Sequence, residues 1–153
     1  MDMHPSLMSF FDEAVRFFVK KYRITSSIVH TFEDIETPNL NGYCYPSGDG
    51  VYTIVLRKDR FAYARLVTLF HELVHVHQME KGSLVLFDDG VEWEGVYYPN
   101  EALFSRNEGG AYWELPWEVE AREAEVRLFS EFVNSLSLSR LLVLKKLGDE
   151  VSE

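Results

Sequence analysis

His71-Glu72-Leu73-Val74-His75 lies within a run whose apolar residues, Leu66, Val67, Leu69, Phe70, Leu73 and Val74, recur at helical spacing. Residues four apart share one face of a helix, so the two imidazoles project side by side, about 6 Å apart along the axis. That geometry suits two ligands of one zinc ion. Glu72 follows the first histidine, where its carboxylate can reach a water at an open metal position and take its proton. A pair of core histidines bonded to backbone carbonyls is the weaker reading, because burying two imidazoles and a carboxylate together is costly without a cation to compensate them.

A zinc site of this kind needs a third protein ligand. No histidine follows His77, and Gln78 and Lys81 stand where an extended HExxHxxGxxH motif needs glycine and histidine. His77 itself lies about 200° round the helix from His75 and faces away. His4 and His30 are far upstream, so a downstream carboxylate is the expected donor.

Candidates cluster in Glu114-Leu115-Pro116-Trp117-Glu118-Val119-Glu120-Ala121-Arg122-Glu123-Ala124-Glu125, which reads as a helix opened by Pro116 and running to about Ser135. Trp117, Ala121, Ala124 and Leu128 form its apolar stripe, widened by Val126, Phe129, Phe132 and Val133. Glu118 sits at the edge of that stripe, and the small Ala121 one turn on allows close approach of the two helices. Glu125 lies near the same face two turns away, whereas Glu120 and Glu123 point toward solvent. A favourable helix dipole accounts for acidic residues at a helix start, but not for one set against the apolar stripe. Glu118 is the first candidate, with Glu125 and Glu120 behind it.

Around these two helices the sequence predicts an α+β domain with a small, mostly antiparallel sheet. An amphipathic helix capped by Ser6 or Ser9 spans about 6–22, burying Leu7, Phe10, Phe11, Ala14, Phe17 and Phe18. Ser27 to Phe32 reads as a strand. Gly42 to Tyr45 and Val51 to Arg57 form a hairpin around Pro46-Ser47-Gly48-Asp49-Gly50. The histidine helix covers Phe61 to Met79 and closes at Gly82. Leu84 to Phe87 and Glu92 to Tyr98 suggest a second hairpin turning at Asp88-Asp89-Gly90. A last helix covers about 138–147, begun by Ser137 or Ser139 and stopped by Gly148.

His71-Glu72-Leu73-Val74-His75 followed by Glu118-Val119-Glu120-Ala121 resembles the gluzincin branch of the zincin metallopeptidases. The compact size is similar to ImmA/IrrE-type and phage-encoded zincin-like proteins. The resemblance covers about residues 50 to 133. It implies a zincin-like fold and a zinc peptidase acting on a peptide or protein substrate, with His71, His75 and Glu118 as metal ligands and Glu72 as general base. It further implies that Val51 to Leu56 forms the sheet edge along which an extended peptide docks, although alternation within that strand fits equally a core strand covered on both faces. Tyr112, just before the second helix, is the candidate donor to the oxyanion, with Tyr97 and Tyr98 as alternatives. A zinc scaffold serving structure or protein binding without hydrolysis is the alternative, and Glu72 argues against it, since such a scaffold has no need of a carboxylate there.

The 153 residues suffice for one domain with a real core. A formal net charge of -10 argues against sequence-independent binding of nucleic acid, which draws on basic residues to displace counterions. Cys44 is the sole cysteine, so no intramolecular disulfide forms and the chain suits a reducing compartment or is indifferent to redox state; a zinc-blocking thiol ranks below an ordinary half-buried strand cysteine. Asp12, Glu13 and Arg16 interrupt the apolar residues near the start, which reads as neither signal peptide nor membrane span. The expectation is a cytoplasmic protein, of a host cell if phage-encoded.

Overall fold

The computed structural model describes residues 5–100 and 114–148. Within them the chain forms helix α1 (Pro5–Tyr22), strands β1 (Ser27–Glu33), β2 (Gly42–Gly48) and β3 (Val51–Arg57), helix α2 (Ala62–Glu80), strands β4 (Leu84–Phe87), β5 (Gly90–Trp93) and β6 (Val96–Pro99), and helices α3 (Pro116–Ser135) and α4 (Leu138–Leu147). This is an α+β arrangement with two three-stranded sheets, in orders β1-β3-β2 and β4-β5-β6. None of the described helices is long and apolar enough to cross a membrane.

The first sheet is mixed. β3 runs antiparallel to β2, which extends through Gly48 into the turn expected around Pro46-Ser47-Gly48-Asp49-Gly50, and parallel to β1, with Ile28 opposite Tyr52 and Phe32 opposite Leu56. β3 is therefore the central strand, and this corrects the expectation that Val51 to Leu56 forms an edge: its backbone groups are engaged on both sides. Burial agrees, because Ile54, Val55 and Leu56 are all buried even though they alternate between the two faces. Within this sheet, β2 borders the cleft described below.

Two other expectations on local structure change. α1 begins at Pro5, ahead of both serines, since a proline's fixed φ suits a first helical turn. Ser9 does not cap it but donates its hydroxyl to the Ser6 carbonyl at 2.7 Å. The run from Glu92 to Tyr98 is also not one strand. Glu94 (φ 47°) and Gly95 (φ 86°) both take left-handed backbone, which folds the chain back sharply and turns the expected hairpin into the three-stranded β4-β5-β6 meander.

The core gathers Phe10, Phe11 and Phe18 of α1, Leu66, Leu69, Phe70 and Leu73 of α2, Leu128 and Phe132 of α3 and the inner face of β3. Each large apolar side chain so buried contributes about 1.5–3 kcal/mol. A smaller cluster of Leu84, Trp93, Leu115 and Trp117 fastens the second sheet to the start of α3. On α3 the stripe of Trp117, Ala121, Ala124, Leu128 and Phe132 is buried, but Val126 is 59% exposed and does not widen it; two positions beyond Ala124, it lies about 200° round the helix. α2 closes where expected, with Gly82 in left-handed backbone and its N–H bonded to the Met79 carbonyl. Ser137 caps α4 by accepting from the Arg140 N–H.

Candidate metal centre

α2 presents His71 and His75 on one face, their ring centroids 4.9 Å apart. α3 packs directly against this helix, and its first turn delivers Glu118. Pro116 starts that turn and Ala121, fully buried, adds nothing beyond a methyl group to the contact. The Glu118 carboxylate bridges the two rings: Oε1 lies 3.0 Å from His71 Nε2, and Oε2 lies 3.1 Å from His75 Nε2. The side chains of His71, His75 and Glu118 are only 12%, 9% and 5% exposed.

One donor atom from each of these three residues lies within 4.8 Å of the others. For ligands about 2.0–2.1 Å from a tetrahedral ion, neighbouring donors sit about 3.3 Å apart. The 3.0 and 3.1 Å separations run to different oxygens of Glu118 and are hydrogen-bond lengths; it is the two imidazoles and one carboxylate gathered within 4.8 Å that give a donor set of the kind zinc takes.

The electrostatics of the three groups are tightly linked. Burial pulls the His71 pKa down, but hydrogen bonds to Glu118 and Glu125 outweigh it and hold the imidazole up at about 10. Burial likewise opposes the charged form of Glu118, yet hydrogen bonds from His71 and His75 bring it down to about 2. His75 is raised against its own desolvation by Glu118 and Glu72. Metal-free, the cluster therefore compensates itself as imidazolium and carboxylate, with protons standing in for a cation.

Glu72 is buried and lines the same cleft as these three residues. Burial pushes its carboxyl pKa up, His75 and His71 oppose this, and Glu118 adds to it. The Cys44 thiol, on β2, is hydrogen-bonded to Glu72; burial, and then Glu72, push that thiol well above its ordinary range. Cys44 is thus a partly buried strand cysteine kept in its protonated form, in contact with the candidate base.

The remaining candidates separate by geometry. Glu125 does not face the shared point: its Oε2 accepts from His71 Nδ1 at 2.7 Å, behind the ring. Glu120 accepts from Gln78 Nε2 at 2.9 Å, and Glu123 is exposed. His77 packs against Tyr22 with centroids 4.8 Å apart, and His30 pairs with Asp12 at 2.9 Å. Tyr98 stands edge-on to Trp117 at 5.1 Å, and the Tyr97 hydroxyl interacts with Asp89. Tyr112 and His4 lie outside the described residues.

Gln78 is the residue that sequence reading missed. It is fully buried, accepts from His75 Nδ1 at 2.8 Å and donates to the Trp117 carbonyl at 3.1 Å. The signal was present, because His71, His75 and Gln78 stand at i, i+4 and i+7 on one helical stripe.

The centre opens into a cleft of about 790 Å³, walled by Leu40, Val67, Leu84, Leu86 and Val91. Gly42 lets β2 close one side: a Cβ there would meet the Val55 carbonyl oxygen at 2.8 Å and the Thr68 methyl at 2.9 Å. No protein-family model matches the chain, and no curated protein or solved structure matches it.

Proposed function

We propose that the chain is a zinc-dependent metallopeptidase of gluzincin type, with a zincin-like fold, in which His71, His75 and Glu118 hold the metal and Glu72 is the general base. The observation that carries this reading is the meeting of both Nε2 atoms with the Glu118 carboxylate inside a cleft that Glu72 also lines. Zinc, when bound, supplies Lewis-acid polarisation of a carbonyl and lowers the pKa of water to about 7.

This chain's own residues do the rest. Glu72 takes the proton of the attacking water and returns it to the departing amine. Its burial raises the carboxyl pKa above the ordinary carboxylate value, which makes Glu72 a readier proton acceptor than a surface carboxylate. The apolar walls of the cleft receive side chains flanking the scissile bond and exclude bulk water from it. A structural zinc role does not explain Glu72, a buried carboxylate that does not join the donor set. The lone Cys44 fits a reducing, cytoplasmic setting.

Glu72→Gln tests the assignment. Against a peptide library, the variant should keep stoichiometric zinc and lose roughly 10²–10⁴-fold in cleavage. A zinc-loaded variant that cleaves at the wild-type rate would falsify the role of Glu72.

A further inference from the structure

The orientation of the Gln78 amide follows from its neighbours. Its nitrogen lies 3.1 Å from the Trp117 carbonyl oxygen and 2.9 Å from Glu120 Oε1. A backbone carbonyl and an ionised carboxylate only accept, so the NH₂ group must face both of them. The amide oxygen is then the atom 2.8 Å from His75 Nδ1. An amide oxygen cannot donate, and a nitrogen facing it must carry hydrogen. Nδ1 of His75 is therefore the donor whether the ring is neutral or charged, and Nε2 is the nitrogen whose lone pair a cation can take.

We propose that Gln78 is a positioning residue of the metal centre: it holds His75 with hydrogen on Nδ1 and Nε2 turned inward, and ties that ring to the first turn of the helix carrying Glu118. This rests on the zinc reading above. The second half of the role comes from its two donated bonds. They end on Trp117 and Glu120, the residues on either side of Glu118 and Val119, so one fully buried side chain sets the spacing between two ligands from different helices.

A neutral amide suits this place. Glu125 orients His71 with a charged carboxylate at 2.7 Å, and Glu72, Glu118 and Glu120 already concentrate negative charge nearby. A carboxylate in place of Gln78 could still accept from His75, but it would confront Glu120 and the Trp117 carbonyl with no hydrogen to offer.

The test compares the zinc affinity of wild type, Gln78→Met, and Gln78→Glu combined with Glu120→Gln, read by competition with a chromophoric chelator, with far-UV circular dichroism checking each fold. Gln78→Met keeps length and bulk but removes the acceptor, and it should bind zinc about 10–100-fold more weakly, with a changed visible spectrum in the cobalt(II) form. The exchanged pair restores an acceptor for Nδ1 and a donor at position 120 while leaving the Trp117 carbonyl without its hydrogen, and should recover part of the loss. Long-range ¹⁵N NMR of the zinc-loaded wild type reads the ring without any substitution, and should place hydrogen on Nδ1 of His75 and zinc on Nε2. The opposite tautomer, wild-type affinity in Gln78→Met, or no recovery in the exchanged pair overturns the role of Gln78 while leaving zinc binding intact. Absence of zinc uptake by the wild type overturns the metal reading and this role with it.

Discussion

His71 Nδ1 donates to Glu125 Oε2 across 2.7 Å, while the opposite nitrogen of the same ring faces Glu118 at 3.0 Å. The ring is thereby held between two carboxylates on one helix, two turns apart, and only one of them belongs to the converging donor set. On the proposed zinc reading, the nitrogen that each carboxylate meets makes Glu118 the ligand and Glu125 the orienting partner, a distinction left open at the level of sequence.

Glu125→Ala should therefore weaken zinc binding without abolishing it, by about 10–100-fold, the usual cost of losing a hydrogen-bond partner behind a ligating histidine. Glu125→Gln, which keeps an acceptor for Nδ1, should cost less. Glu118→Ala removes a donor itself and should cost more than either. Chelator competition orders the three variants, and an equal loss for Glu125→Ala and Glu118→Ala would contradict the division of roles.

Ala121 is fully buried where α3 meets α2. Ala121→Leu adds three heavy atoms to a filled contact and should destabilise the protein by about 1–3 kcal/mol in urea unfolding. Because the strain is relieved by moving α3 outward, it should also weaken zinc binding. Val126→Leu, at an exposed position on the same helix, should change neither, and a tolerated Ala121→Leu would show that close helix approach does not set the site.

The stability of the metal-free protein and the stability that zinc adds should respond to pH with opposite signs above about pH 6.5. In the metal-free protein His71 is raised from 6.5 to about 10, so its contribution to stability is full below pH 6.5 and fades as pH rises through about 10. Glu118 is lowered from 4.5 to about 2, so its contribution is full above pH 4.5 and fades as pH falls through about 2. Urea midpoints of metal-free protein should consequently be highest between about pH 4.5 and 6.5, as far as these two groups decide it. Zinc must displace the protons on both Nε2 atoms, so the added stability on zinc binding should grow as pH rises from 5 to 8. Zinc stabilisation that is flat over that range would contradict a site built on protonated imidazoles.

Much of this was legible because it is local. The helix bearing His71 and His75, its stop at Gly82, the start of α3 at Pro116 and the exclusion of His77 all follow from periodicity and punctuation within a few residues. Glu118 could be ranked first because it lies beside an apolar stripe, but that it meets both Nε2 atoms while Glu125 meets Nδ1 of His71 is a tertiary fact. The place of β3 was not legible: its parallel partner β1 is separated from it by β2 in sequence, and nothing in Val51–Arg57 names that partner. The turn at Glu94-Gly95 was missed because a glutamate in left-handed backbone is uncommon and carries no warning in composition. Gln78 was weighed only against a motif requiring glycine there, so its place on the histidine stripe went unused.

Anomalous diffraction at the zinc absorption edge, from crystals of zinc-loaded protein, tests the central claim most directly. One peak should appear, about 2.0–2.2 Å from Nε2 of His71, Nε2 of His75 and a carboxylate oxygen of Glu118. A map with no peak there, or with zinc held by other residues while these three remain paired to one another, would contradict the account.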